Sequence, residues 1–128
     1  MYQKYVNRAD LKANPNVIYV FGDNEKRIGH GGQASEMRGE PNTIGVRTKK
    51  GPGRRENDYW TDDEFTSNKL LITEDFDLIK KVLEKGSIVV LPLDGLGTGL
   101  SELPKRAPIT LRFIQFKIEK LTERYRLR

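Results

Sequence analysis

Two stretches of this chain could do chemistry with backbone rather than side chains. Residues 20–39 read VFGDNEKRIGHGGQASEMRG and residues 91–101 read LPLDGLGTGLS. In each, an apolar run empties into glycines: Gly29, Gly31 and Gly32 in the first, Gly95, Gly97 and Gly99 in the second. Glycine costs backbone entropy and packs nothing, so it is kept where φ must be positive or where the backbone must approach something closely. One such loop can be no more than a flexible turn. Two of them, each after a strand and before a helical pattern, point to a bed of backbone N–H groups around a diphosphate, assisted by helix N-termini. Neither loop continues into Gly-Lys-Ser/Thr, and neither has the GxGxxG spacing with a later ribose-binding acid. Phosphate held here would be held by backbone, without a lysine and magnesium.

The surrounding side chains narrow the chemistry further. The chain has no cysteine, hence no thiolate nucleophile, disulfide or zinc–thiolate site. Its one histidine, His30, cannot make a histidine metal cluster. His30 lies between glycines and can stand exposed without a role. Carboxylates that could activate a bound water are Asp23 and Asp94, at the ends of two strands, with Glu102, Asp62 and Asp63 as further candidates. Nothing in the sequence selects among them.

The elements that must position these groups are legible as apolar periodicity. Runs at 16–21 (NVIYVF), 42–48 (NTIGVRT) and 87–93 (SIVVLPL) have strand length and β-branched content. Residues 2–6 read as an edge strand and 69–73 (KLLIT) as another short one. Helices are expected at 32–39, at 73–86 with Thr73 as N-cap and Gly86 as stop, and from Pro108 to about Arg124. The aperiodic segment 51–68 is expected to be a long loop or lid. The fold class is α/β: one three-layer domain over residues 1–128, with a mixed sheet between helices.

Composition sets the outer bounds. A chain of 128 residues suits one core, and 32% charged residues imply a heavily charged surface. No apolar window is long enough to span a membrane, and MYQKYVNRAD has no signal-peptide core, so a cytoplasmic monomer is expected. The net charge of +5 is concentrated in RTKKGPGRR (47–55) and the C-terminal KLTERYRLR. Such runs are either solvated faces or attract phosphate-rich partners.

Taken together the motifs resemble a family. YVNRADLKANPNVIYVFGDNEKRIGHGGQA is similar to the opening of a macrodomain, and VVLPLDGLGTGLSELPKRAPITLRFI is similar to its second signature. IGVRTKK (44–50), followed by a helix, most resembles the branch of DNA and protein ADP-ribosyl hydrolases that use a catalytic lysine. The pattern is also similar to small phage and bacterial proteins. The resemblance implies a macrodomain-like fold that binds ADP-ribose or a related nucleotide, free or attached to protein or nucleic acid, with no cofactor and no metal. By position it implies that Asp10 and the Leu11 amide meet the adenine and that Asn24 lies beside the distal ribose. Gly29, His30, Gly31, Gly32 and Gln33 would face the phosphates from one side. Gly95, Leu96, Gly97, Thr98, Gly99 and Leu100 would face them from the other. Where that branch has its lysine, in the helix after the first loop, this chain has Arg38; where it has an acid after the second loop, this chain has Ser101. Arginine stays protonated and cannot be the nucleophile, but its guanidinium could bind a phosphate or ribose oxygen. Binding is therefore expected ahead of that catalysis, with ADP-ribosyl hydrolysis and a basic nucleic-acid-binding module as alternatives.

Overall fold

A computed structural model describes residues 2, 3 and 5–125. Lys4, within the expected 2–6 strand, and residues 126–128 of the basic C-terminal run lie outside the described residues.

Four strands are described: β1 (Tyr2–Gln3), β2 (Val17–Asn24), β3 (Thr43–Lys49) and β4 (Ile88–Pro92). They form one sheet in the order β1-β4-β2-β3, and each neighbouring pair is parallel. The expected mixed sheet is corrected to a parallel one. The reason lies in the connections: β2 returns to β3 through helix α2 (Ala34–Met37), and β3 leads to β4 through helix α3 (Phe65–Glu84). Such crossovers deliver parallel strands, where a hairpin would deliver antiparallel ones.

Alternation along the strands feeds two cores. Val20, Val46, Val89 and Leu91 face helices α3 and α5 (Pro108–Tyr125), where they meet Ile72, Phe76, Ile79 and Ile114. Tyr19, Phe21 and Val90 face the other way, onto Leu11 of helix α1 (Arg8–Ala13) and onto Ala34 and Met37 of α2. With side chains standing on alternate faces, a sheet covered on both sides reads as continuous apolar runs.

Residues 69–73 are not a strand. They lie inside α3, whose buried Ile72, Phe76, Ile79 and Leu83 recur at spacings of three and four. A five-residue apolar run has no period of its own to separate strand from helix. Thr73, expected as the N-cap, sits mid-helix with its hydroxyl donating to Lys69 O at 2.7 Å.

The segment 51–68 is tied down along its length. It contains single 3-10 turns at Glu56–Asp58 and Asp62–Glu64 before α3 begins. Trp60 is fully buried in the α3–α5 core and its indole N–H donates to Glu25 Oε2 at 2.7 Å. Asp62 caps α5 across 47 residues of sequence, accepting from the amides of Ile109 and Thr110 and from the Thr110 hydroxyl, each at 2.9 Å. Pro108, as expected, occupies the first position of that helix, where a missing N–H costs nothing. No helix among the described residues is long and apolar enough to cross a membrane.

Candidate functional site

The carboxyl ends of β2 and β3, the two glycine loops and the 50–54 turn meet at one edge of the sheet, where open α/β sheets bind ligands. The β2–β3 register breaks there: Asp23 pairs with Arg47 but Asn24 pairs with Lys49, so Thr48 is an extra residue on β3. The irregularity re-aims the strand end. Thr48 Oγ1 lies at hydrogen-bonding distance from Asp23 O and contacts the Ser101 hydroxyl, joining the strand end to the second loop.

Between the loops lies a cavity of about 70 Å³, walled in part by Gly22, Gly29, Gly31, Lys49, Pro52 and Leu100. That is far below the roughly 300–1,000 Å³ of a small-molecule site. Two side chains close it. A β-carbon on Gly31 would stand 2.8 Å from Leu100 Cδ1, and one on Gly29 would stand 2.7 Å from Pro52 Cβ. A neighbouring cavity of about 230 Å³ shares Lys49, Pro52 and Leu100 as its wall and adds Arg54, Tyr59 and Glu102. Pro52 and Leu100 are therefore a partition within one cleft.

The loops present unused donors. Among the described residues, no backbone N–H of 28–33 or 96–101 donates to a protein acceptor, whereas their flanks do. Gly95 N, for example, donates to Pro92 O, and Glu102 N to Gly99 O. Gly29, Gly32, Gly95 and Gly97 have positive φ, a conformation few other residues adopt without strain. Helices α2 and α4 (Leu103–Arg106) are four residues each, too short for the helix-terminus assistance expected from the sequence. The donors are the loop amides themselves.

Several expected site residues serve the architecture. Asp10 closes a capping box at α1: its carboxylate accepts from Asn7 N at 3.0 Å and Gln3 Nε2 at 3.1 Å. Leu11 is core, and neither residue lines the cleft. Gln33 exchanges two hydrogen bonds with the Val6 backbone, both 2.7 Å. Leu96 is buried in the α3–α5 core, and Gly97 is needed because a side chain there would overlap Leu103. Thr98 donates to Asp94 O within its own turn, and Asp94 and His30 are exposed away from the cavity. Gly95 and Gly99 have open space where a β-carbon would go. Asn24 lines the cleft, but its side chain also closes the 24–28 turn, bonding Ile28 O and Lys26 N.

Arg38 and Asp23 form a buried tie. Arg38 Nη2 donates to Asp23 Oδ1 at 2.6 Å, Nε to Gly29 O at 2.6 Å, and the guanidinium lies over the Phe21 ring. Asp23 also accepts from Arg27 and from Asn24 N. Asp23 and Arg38 both line the cavity, and their contacts with each other and with Gly29 O brace the first loop. Arg27 carries the network to α3: its guanidinium bonds Gly45 O and Asp75 Oδ1, with its own φ at +55°. Asp75 holds Arg47 in turn. Burial works against the Arg47 charge, but the hydrogen bonds it donates to Asp75 and Glu74, with their negative charges, outweigh it and raise its pKa. Arg47 is thus not part of a solvated basic face.

Lys49 is the residue the sequence reading missed. It is buried, lines both parts of the cleft, donates to Gly53 O at 2.7 Å and stands 4.4 Å from the Tyr59 ring centroid. Burial lowers its pKa, opposed by the charges of Asp58 and Glu102. Its signal was the strand GVRTK itself, which runs to the same edge as the glycine loops. Glu102, held at φ +52° directly after the second loop, is the carboxylate sharing the outer cavity with Lys49. The Arg106 side chain bonds Glu102 at 3.0 Å and lowers its pKa.

A family model described as "Family of unknown function (DUF7831)" matches residues 1–117, and the chain belongs to that family. No curated protein and no solved structure matches it.

Proposed function

We propose that this DUF7831 member has a macrodomain-like fold and binds the diphosphate of ADP-ribose, or of a related NAD-derived nucleotide, between loops 28–33 and 96–101. One observation carries the reading: two adjoining loops with runs of backbone N–H groups, each without a protein acceptor among the described residues, shaped by positive-φ glycines. Oriented amides of this kind favour anionic oxygens. The ligand displaces Leu100 and Pro52 from Gly31 and Gly29 and so joins the two halves of the cleft. Calorimetric titration with ADP-ribose, alongside NAD and ATP, tests it. Binding that collapses steeply with salt for nucleic acid, without a saturable nucleotide site, would instead favour the basic nucleic-acid module.

A second reading, ADP-ribosyl hydrolysis, is favoured by Lys49. A buried amine with a lowered pKa has a larger neutral fraction and can act as a nucleophile. In this reading the neutral amine attacks the ribose anomeric carbon, the bond to the modified macromolecule breaks, and the leaving atom takes the proton that the Lys49 nitrogen sheds on forming the new bond, while the ionised Glu102 lies in the same cavity. Water then releases ADP-ribose and restores Lys49. Borohydride trapping with an ADP-ribosylated substrate, followed by peptide mass spectrometry, tests it. An adduct on Lys49 supports the reading, and turnover without any adduct favours an activated water.

A further inference from the structure

Beside residues 76–80 of α3 and 117–125 of α5 lies a larger cavity, of about 470 Å³, that no part of the nucleotide reading uses. Its volume falls within the range of small-molecule sites. Phe76 and Leu121, both buried in the core, provide its apolar floor, and the Tyr125 ring forms a wall. The Tyr125 hydroxyl is buried without a hydrogen-bond partner among the described residues, a costly state for a group that can both donate and accept.

The rim is cationic. Lys80, Lys117, Lys120 and Arg124 line it, against the carboxylates of Asp77 and Glu123. Among the described residues one contact links the two signs: Lys120 Nζ reaches Glu123 at 3.8 Å, between side chains that are mostly exposed. Such a pair is worth little. Lys80 and Lys117 have no ion pair among the described residues, so the rim keeps an excess of positive charge. An apolar floor, an unpartnered hydroxyl and surplus cations are complementary to one chemical class.

We propose that this cavity binds a small amphipathic anion: a flat apolar body on Phe76 and Leu121, an acceptor for the Tyr125 hydroxyl, and an acidic group facing Lys80 and Lys117. The site is independent of the glycine-loop cleft.

The test uses 8-anilinonaphthalene-1-sulfonate as probe, followed by nitrogen–proton correlation spectra of the folded full chain. One equivalent should saturate, with amide shifts centred on Phe76, Lys80, Lys117, Leu121 and Tyr125. Its uncharged analogue N-phenyl-1-naphthylamine should bind at least about tenfold more weakly, a difference of about 1.4 kcal/mol. The double variant Lys80→Glu/Lys117→Glu should weaken the sulfonate by about tenfold or more with an unchanged circular dichroism spectrum, and Tyr125→Phe should weaken it about threefold. No saturable binding, shifts centred elsewhere, or equal affinity for the charged and uncharged probes would overturn the proposal. If the double variant unfolds, the comparison of the two probes on the unmodified protein decides alone.

Discussion

Leu100 and Gly31 are packed so closely that a β-carbon on the glycine would stand 2.8 Å from Leu100 Cδ1. One leucine side chain thus holds the two glycine loops together, although Leu100 itself is 52% exposed. A contact of this size costs little to break, and breaking it opens the cleft. A ligand that requires the open form binds with an affinity reduced by the fraction of molecules already open. Leu100→Ala should therefore tighten ADP-ribose binding, by about threefold to tenfold, in a calorimetric titration. A loss of tenfold or more would make Leu100 a ligand contact rather than a partition.

Two neighbouring glycines should respond differently. Gly97 has φ +84° and packs against Leu103, whereas Gly99 faces open space. Gly97→Ala combines left-handed strain of about 1–2 kcal/mol with overpacking of about 1–3 kcal/mol, so urea denaturation should show a loss of about 2–5 kcal/mol. Gly99→Ala should leave stability within about 0.5 kcal/mol. Equal losses at both positions would contradict the assignment of Gly97 to the fold.

Arg38 should prove structural. Arg38→Ala leaves the buried Asp23, among the described residues, with Arg27 as its remaining counter-charge and frees Gly29 O, while Ile28 O keeps its bond from Asn24. Breaking a buried pair costs about 3–5 kcal/mol, and the remaining arginine brings the expectation down to about 2–3 kcal/mol. Denaturation midpoints check it. A stability loss under about 0.5 kcal/mol would mean that the guanidinium is free for a ligand.

The sequence disclosed what repeats or what costs. Strands β2, β3 and β4 announce themselves as β-branched runs, α5 by its proline start and broad apolar stripe, and the two glycine loops by residues that are expensive anywhere else. What stayed hidden depended on tertiary partners. Nothing local says that Asp10 receives Asn7 N, that Gln33 reaches back to Val6, or that Asp62 caps a helix 47 residues away. Trp60 gave no periodicity because a single anchor has none. Lys49 was read as one of a basic run because the break in register that turns the strand end, and the burial that lowers its pKa, exist only once β2 and β3 are paired. Strand direction was also unreadable, since covered strands look alike in parallel and mixed sheets.

The Asp62 cap gives a pH-dependent prediction. Burial alone would raise its pKa, but hydrogen bonds from Ile109 N, Thr110 N and the Thr110 hydroxyl outweigh burial and hold it below the ordinary carboxylate value. A depressed folded pKa adds stability above the unfolded value, near 4, that is lost as pH falls through the folded one. Asp62→Ala should cost about 1–2 kcal/mol at pH 7. The gap to the unmodified protein should shrink in urea titrations as pH is lowered from about 5 to 3. A gap independent of pH would contradict a charged cap.

The central claim is that the two glycine loops cradle a nucleotide diphosphate with their own amides. The most direct measurement is a calorimetric titration of ADP-ribose into the unmodified protein and into Gly99→Glu, which adds a carboxylate to the second loop at a position with open space for a side chain. The account predicts saturable one-site binding in the first and none in the second, with both proteins folded by circular dichroism. Absence of binding to the folded unmodified protein, or equal affinity in Gly99→Glu, would contradict it.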